Sequence, residues 1–395
     1  MSNTTDNTHY PVVIVGGGPS GAGAGIRLQQ AGKETCIVER AHFPRQKLCG
    51  GLVTQKTKEM LLSLLPGMTE EELLRNVSAG HHNRLKLFNR LEVASDVKIG
   101  IPYELVHRRV YDHFLIRQYL EAGGTLLEGE GICRLDPEKK ELQTSTGRVL
   151  TYDTLIAADG ANSWVRNSLG MRYGKRIFCM EIHTALEDYD FEGIGIYFDM
   201  PDIVYGWVFP KNDGYCIGIG SWERPGTDYR EVFRGFLRGL GVRNQDRYPL
   251  KGAFVPGGGF LKNPVYGGSL LIVGDAAGFA DPLTGEGLYF SLFSGIQAAE
   301  AVLAHPDSPA KDYLQRIRPV QESIRSVSRI KILFRKPFYQ FWLQRVGGYP
   351  DYVRYFSDNQ LSKVPGGGII GGLLKKVFSH YLRHFFGRGK RTLKQ

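Results

Sequence analysis

The chain has 395 residues, 42% hydrophobic and 23% charged, enough to bury a large core in two lobes and too apolar for an intrinsically disordered protein. Its five cysteines (Cys36, Cys49, Cys133, Cys179 and Cys216) are odd in number and lack Cys-x-x-Cys spacing, which argues against a disulfide framework and against a structural metal site. The net charge of +10 is concentrated in residues 331–395, where 13 Lys/Arg face only Asp351 and Asp358, so the rest of the chain is close to neutral.

The first residues, Met1 to Pro11, are polar and carry no apolar secretory core. No run of about 20 apolar residues occurs anywhere, so no membrane span is expected and a reducing cytoplasmic setting fits best. From Pro11 to Val15 an apolar, β-branched run reads as a buried parallel strand. It leads into Gly16-Gly17-Gly18-Pro19-Ser20-Gly21, then a helix over Ala22 to Ala31 and a second strand over Thr35 to Val38. Gly16, Gly18 and Gly21 match Gly-x-Gly-x-x-Gly at the first turn of a βαβ unit. The first glycine permits the tight turn, the second lets backbone approach a pyrophosphate, and the third allows close helix–strand packing. Glu39, with Arg40 beside it, ends the second strand, where a carboxylate can accept from ribose hydroxyls.

Further along, Tyr111 to Ala122 reads as a helix and Thr125 to Leu127 as a strand. Leu142 to Val149 and Thr154 to Ala158 also have strand character, with Gly147 in the turn between them. Two stretches, Arg84 to Ile101 and roughly Phe178 to Val255, alternate apolar and aromatic residues as an antiparallel sheet does. The α/β rhythm resumes with a strand over Ser269 to Val273 and a helix over Gly287 to Leu303. The expected architecture is therefore α/β. A Rossmann-like, discontinuous dinucleotide-binding domain (1–80, 102–176 and 265–325) is interrupted by an antiparallel-sheet substrate domain (81–101 and 177–264). A helical, basic C-terminal region (326–395) follows.

The βαβ unit alone leaves NAD and FAD both open. The separation comes from resemblance. Tyr152-Asp-Thr-Leu-Ile-Ala-Ala-Asp159-Gly160-Ala-Asn-Ser163-Trp-Val-Arg166 resembles the Asp-Gly motif of the para-hydroxybenzoate hydroxylase fold. Val273-Gly274-Asp275-Ala276-Ala277-Gly278 resembles its second FAD fingerprint, in which the aspartate holds the ribityl chain. Arg108 matches the arginine of that fold that reaches FAD ahead of the crossover helix; its neighbour Arg109 reads as solvated. Within that fold the sequence is similar to the geranylgeranyl reductase family over about residues 10 to 310. Phe43-Pro44-Arg45-Gln46-Lys47-Leu48-Cys49-Gly50-Gly51 resembles the family's Cys-Gly segment beside the flavin. Tyr205-Gly-Trp207-Val-Phe209-Pro210 with Gly218-Ile-Gly220 resembles its substrate motif. Asp281-Pro282-Leu-Thr284-Gly285-Glu286-Gly287 follows the second fingerprint, as in those reductases.

The resemblance implies hydride delivery from reduced flavin to one alkene carbon while a proton reaches the other. It implies FAD as cofactor, NAD(P)H or ferredoxin as electron donor, and an apolar prenyl-type substrate. Cys49, with Gly50 and Lys47 beside it, becomes the candidate catalytic segment: the thiol donates the proton or holds a water that does. Lys47 and Arg45 are the cations near enough in sequence to lower the thiol pKa. A small packed cysteine supporting the Gly-Gly turn is the plain alternative. Archaeal members carry tyrosine where this chain has Lys47, so a tyrosine proton donor is not expected there. Tyr205, Trp207 and Phe209 alternate and share one strand face, either as a prenyl channel or as sheet core. Backbone N–H groups near Gly285 and Gly287 are candidates for the flavin edge.

His81, His82 and His107 lack partner spacing and read as surface or packing residues. An aromatic hydroxylase of the same fold, capturing oxygen on reduced flavin, is the second reading; a halogenase, a prenyl-binding escort and an RNA-binding protein rank below it. No nucleic-acid motif is present. The basic tail interleaves cations with Phe334, Phe338, Tyr339, Phe341, Trp342, Tyr381, Phe385 and Phe386. It reads as a contact for an anionic membrane surface, on the inner face of the cell membrane, or as a solvated helical face with an aromatic stripe.

Overall fold

The computed structural model describes residues 7–330, apart from 175, 199, 223, 225, 283 and 284. The basic segment from Lys331 onward, with its expected membrane contact, lies outside the described residues. Strand β1 (Asn7–Val15) runs into helix α1 (Pro19–Gln30) and then β2 (Thr35–Glu39). The two strands pair in parallel, with Val12 opposite Thr35. All five residues of β2 are buried, as a parallel strand covered on both faces must be. A short β3 (Leu52–Val53) precedes α2 (Gln55–Leu64) and α3 (Glu70–Val77). The long hairpin β4 (Ser78–Asn89) and β5 (Glu92–Val106) then leaves the first sheet altogether.

Helix α4 (Arg108–Glu121) returns the chain to the first sheet through β6 (Thr125–Glu128). The hydroxyl of Tyr119, fully buried on α4, reaches the carbonyls of Thr35 and Thr125 and so ties the helix to β2 and β6. A meander of β7 (Ile132–Asp136) and β8 (Glu141–Thr144) leads to β9 (Val149–Ala157), which lies parallel to β1 on the side away from β2. After the short α5 (Trp164–Ser168) the chain enters a second sheet through β10 (Arg176–Thr184), β11 (Ile194–Phe198), β12 (Tyr205–Lys211) and β13 (Gly214–Trp222). Helix α6 (Tyr229–Leu240) and strand β14 (Lys251–Pro256) complete this part. The chain closes back on the first sheet with β15 (Val265–Tyr266) and β16 (Leu270–Ile272), followed by α7 (Leu288–Ala304), α8 (Ala310–Arg316) and α9 (Arg318–Ile330).

The first sheet has the order β15-β16-β9-β1-β2-β6, with β7 and β8 attached beside β9; the second has the order β14-β10-β13-β12-β11-β4-β5-β3. In the second sheet β11 pairs with β4 in parallel, while its other neighbours are antiparallel. This is a mixed α/β fold with a curled, mainly antiparallel second sheet. Helix α6 is not part of the alternating pattern expected between Phe178 and Val255. Its signals are nonetheless local: Tyr229, Val232, Phe233, Phe236, Leu237 and Leu240 recur at helical spacing. Asp228 caps the N-terminus by accepting from the N–H groups of Arg230 and Glu231, and Gly241 ends it in left-handed backbone.

Candidate active site

At the exit of β1, Gly16 adopts φ +103° and donates its N–H to the Val38 carbonyl at 2.8 Å. A side chain there would be strained and would also strike the Ala158 carbonyl, which lies 2.5 Å from where a Cβ would sit. A Cβ on Gly21 would lie only 1.9 Å from the Gly16 carbonyl oxygen. Gly16 and Gly21 thus let the turn close. Gly18 differs: it opens α1, whose first turn holds no acidic side chain, and the nearest heavy atom to its would-be Cβ is Arg45 Nη2 at 3.6 Å. Bare backbone at a helix N-terminus faces open space, a cradle for an anion. Glu39, buried at the end of β2, accepts from Gly17 N–H at 2.9 Å and from Ala41 N–H at 3.1 Å. It therefore braces the glycine turn. Arg40 beside it is exposed.

Arg45 lies 3.5 Å from Glu39 and 3.2 Å from Asp112. Arg108 is the cation that interacts with Cys49; its guanidinium is held at 2.7 and 2.9 Å by the fully buried Asp112 one turn along α4. Burial works against the charge of Arg108, but Asp112 and Cys49 outweigh it and hold its pKa above the ordinary value. Lys47 acts on Asp275 and Cys179. Asp112 escaped the sequence reading, although its i+4 spacing from Arg108 on a helix was the available signal.

On the other side of β1, Asp159 follows β9. Its Oδ2 accepts from Val165 N–H at 3.1 Å, while its buried Oδ1 has no hydrogen-bond partner among the described residues. Burial raises its pKa, so a ligand hydroxyl reaching Oδ1 would relieve an unsatisfied group. Asp275 sits in the short turn Gly274–Ala277 after β16. Burial raises its pKa too, with Lys47 and Arg108 pulling the other way. The would-be Cβ of Gly287, at the start of α7, is 3.3 Å from Asp275 Oδ1; that of Gly285 is 2.5 Å from the Tyr205 hydroxyl. Between these glycines Glu286 pairs with Lys56 at 2.8 Å and accepts from the Thr54 hydroxyl at 2.7 Å, anchoring the segment to α2. The open cradle at Gly18, the unpartnered Asp159 oxygen and the cation-flanked Asp275 fit FAD.

Across from these groups stands one face of the second sheet. Pairing sets Cys179 opposite Gly220, Glu181 opposite Gly218 and His183 opposite Cys216. It also sets Tyr205, Trp207 and Phe209 opposite Gly220, Gly218 and Cys216. Because side chains alternate along a strand, these residues share a face. The three rings form a file, with centroids 5.5 and 6.4 Å apart. Trp207 and Phe209 are buried. The loop bearing Cys49 lies against this file: a Cβ on Gly50 would be 2.5 Å from the Phe209 ring. Cys49 N–H donates to Glu181 at 3.2 Å, and Val106 N–H donates to the Gly51 carbonyl at 2.8 Å. Buried Lys211 closes the far end by donating to the Val106 carbonyl at 3.0 Å. The opposite sheet face, with Met180, Ile182, Val208 and Ile217, packs on Phe233 and Phe236 of α6.

Glu181, His183, Cys216 and Lys211 were missed as site residues. The only trace of Glu181 was a carboxylate at an inward position of the otherwise apolar run Ile177-Phe-Cys179-Met-Glu181-Ile-His183. Glu181, His183 and Cys216 bring an oxygen, a nitrogen and a sulfur within 4.8 Å of one another. The carboxylate oxygens are already engaged, by Cys49 N–H and His183 on one side and the Cys216 thiol on the other. The set therefore reads as a proton-bearing network. The other histidines gain partners that sequence spacing did not show: His81 with Glu104 at 2.5 Å, His82 with the Pro210 carbonyl at 2.9 Å and His107 with Asp213 at 2.9 Å.

A glycine cradle facing an aromatic sheet across a cysteine loop fits an FAD-dependent oxidoreductase. The chain belongs to the FAD binding domain family, whose model matches residues 9–304. It is similar to the geranylgeranyl diphosphate reductase of Rhodobacter capsulatus, with 28% identity over 318 residues and 75% of each chain covered. A crystal structure of a geranylgeranyl bacteriochlorophyll reductase-like protein from Thermoplasma acidophilum matches with a TM-score of 0.71 and 17% identity, over 97% of this chain and 98% of that one. The flavin-dependent brominase Bmp2 matches with a TM-score of 0.68 and 17% identity, over 95% of this chain and 100% of that one. At these identities the structural likeness is one of fold.

Proposed function

We propose that this flavoprotein reduces isoprenoid C=C bonds of a prenyl lipid or other prenyl-chain substrate, with NAD(P)H or ferredoxin as its electron donor. The observation that carries the reading is the file of Tyr205, Trp207 and Phe209 against Gly50, an apolar wall next to a thiol. Bound FAD supplies the hydride chemistry. The glycine turn and the N-terminus of α1 hold pyrophosphate, and Glu39, Asp159 and Asp275 take hydroxyl groups along the cofactor. Arg108 and Lys47 supply positive charge at the Asp275 end. The aromatic file excludes water and orients the alkene. Cys49 gives the proton, with its loop held by Glu181 and Val106.

No helix among the described residues is long and apolar enough to cross a membrane. Access to a bilayer-resident substrate falls in this reading to the basic, aromatic segment after Ile330, at the inner membrane surface. The test is an anaerobic incubation with reduced donor and prenyl substrate. A product that gains two hydrogens per bond supports the reading. A product that gains an oxygen atom and forms only in air assigns the chain to the aromatic hydroxylase class instead. Cys49→Ala is expected to retain FAD and lose roughly 10²-fold in product formation; unchanged turnover returns Cys49 to a packing role.

A further inference from the structure

Behind the Cys49 loop lies a line of proton-bearing groups that the reaction above leaves unused. Glu181 is 1% exposed, and its Oε1 accepts from Cys49 N–H at 3.2 Å. His183 Nε2 lies 3.4 Å from the same oxygen, and the His183 side chain is 33% exposed, so the line has a wet end. The Cys216 thiol donates to Oε2 at 3.6 Å. The His107 ring lies 6.1 Å from the His183 ring, and His107 is bonded at 2.9 Å to the largely exposed Asp213. A carboxylate buried this deeply is costly unless it is paired or used. Gly218 opposite makes room for the Trp207 indole beside it.

The charged and titratable groups around Glu181 come from every neighbouring element. Cys49 and Lys47 stand on the loop, Cys179 and His183 on β10, and Tyr205 and Lys211 on β12. Cys216 stands on β13, and Lys251 is in register on β14. His107 and Arg108 come from the start of α4.

We propose that Glu181 reprotonates Cys49 after each reduction and that His183 refills Glu181 from solvent. The proposal rests on the reductase reading given above. Bound reduced FAD would supply hydride to one alkene carbon; at the other, the Cys49 S–H bond breaks and a C–H bond forms. The thiolate then takes the Glu181 carboxyl proton, so an O–H bond breaks and an S–H bond forms. The carboxylate takes a proton from the His183 imidazolium, and His183 takes one from water at its exposed edge. Each reduced bond thus draws two electrons from the donor and one proton from solvent through this line.

Glu181→Gln keeps the size and an acceptor for Cys49 N–H but carries no transferable proton. In rapid-mixing experiments on protein loaded with FAD and reduced anaerobically, this variant gives one bond reduced per enzyme at near the normal rate. Later turnovers slow by about 10²-fold. Formic acid restores turnover in Glu181→Ala. In the flavin-free protein, the profile of iodoacetamide alkylation of Cys49, followed across pH by peptide mass spectrometry, shifts in Glu181→Gln, because the Cys49 loop then faces an amide that exchanges no proton with the thiol. His183→Gln, at a half-exposed position, slows later turnovers in the same way without risk to the core. Full multiple-turnover rates in both variants, an unshifted alkylation profile, or stoichiometric zinc in the purified protein overturn the relay. A wild-type enzyme that reduces no prenyl bond overturns the reductase reading instead, and the alkylation profile still decides whether Glu181 acts on Cys49.

Discussion

Gly16, Gly18 and Gly21 belong to one motif, yet their surroundings ask different things of them. The Cβ of an alanine at position 21 would sit 1.9 Å from the Gly16 carbonyl, inside the protein's own backbone. Gly21→Ala is therefore expected to destabilise the flavin-free protein by about 1–3 kcal/mol or more, because backbone must move to admit the methyl. A Cβ at position 18 meets nothing closer than an arginine end at 3.6 Å, so Gly18→Val is expected to keep the melting temperature of the flavin-free protein but to purify colourless. Thermal unfolding and flavin absorbance together check both. Equal loss of stability in the two variants would show that Gly18 serves folding and not the ligand. Glu39 adds a lesson of the same kind: its position at the end of β2 was legible, whereas its bond to Gly17 N–H was not, because 22 residues separate the partners.

At the scale of elements, the second sheet works as two faces. One packs on α6 through Met180, Ile182 and Val208; the other presents Trp207 and Phe209 to the Cys49 loop. Gly218 allows this, since a Cβ there would lie 2.1 Å from the Trp207 ring. Gly218→Ala is expected to lift the indole from the sheet while leaving the strand ladder and the FAD cradle in place. The measurable result is normal flavin content with a KM for the prenyl substrate raised on the order of tenfold, as loss of about 1.4 kcal/mol of apolar contact gives. An unchanged KM removes Trp207 from the substrate wall. The alternation of Tyr205, Trp207 and Phe209 showed that they share a face. It could not show that Glu181 and Cys216 join them, because that follows from the pairing of β10 with β13 and of β13 with β12.

For the whole molecule, the basic tail supplies the prediction. Residues 331–395 carry 13 Lys/Arg and two acids, and each cation near an anionic surface contributes about 1 kcal/mol. Truncation after Ile330 is expected to retain FAD, since Gly16 to Asp275 lie upstream, and to lose sedimentation with anionic liposomes at low salt. If the intact protein ignores such vesicles even at low salt, the membrane reading fails. Circular dichroism of the truncated form establishes that it remains folded.

Much of this protein was determined within short stretches of sequence. Hydrophobic periodicity, the glycine turn and the helix after it depend on residues a few positions apart, so β1, α1, β2 and the inward aromatic strand were readable directly. The tertiary structure decided which charges meet. Arg45 turned out to serve Glu39 and Asp112, Arg108 stands at Cys49, and Glu181 holds Cys49 N–H across 132 residues of chain. No local pattern encodes such pairings, because strand register and the docking of the two sheets create them only when the whole chain has folded.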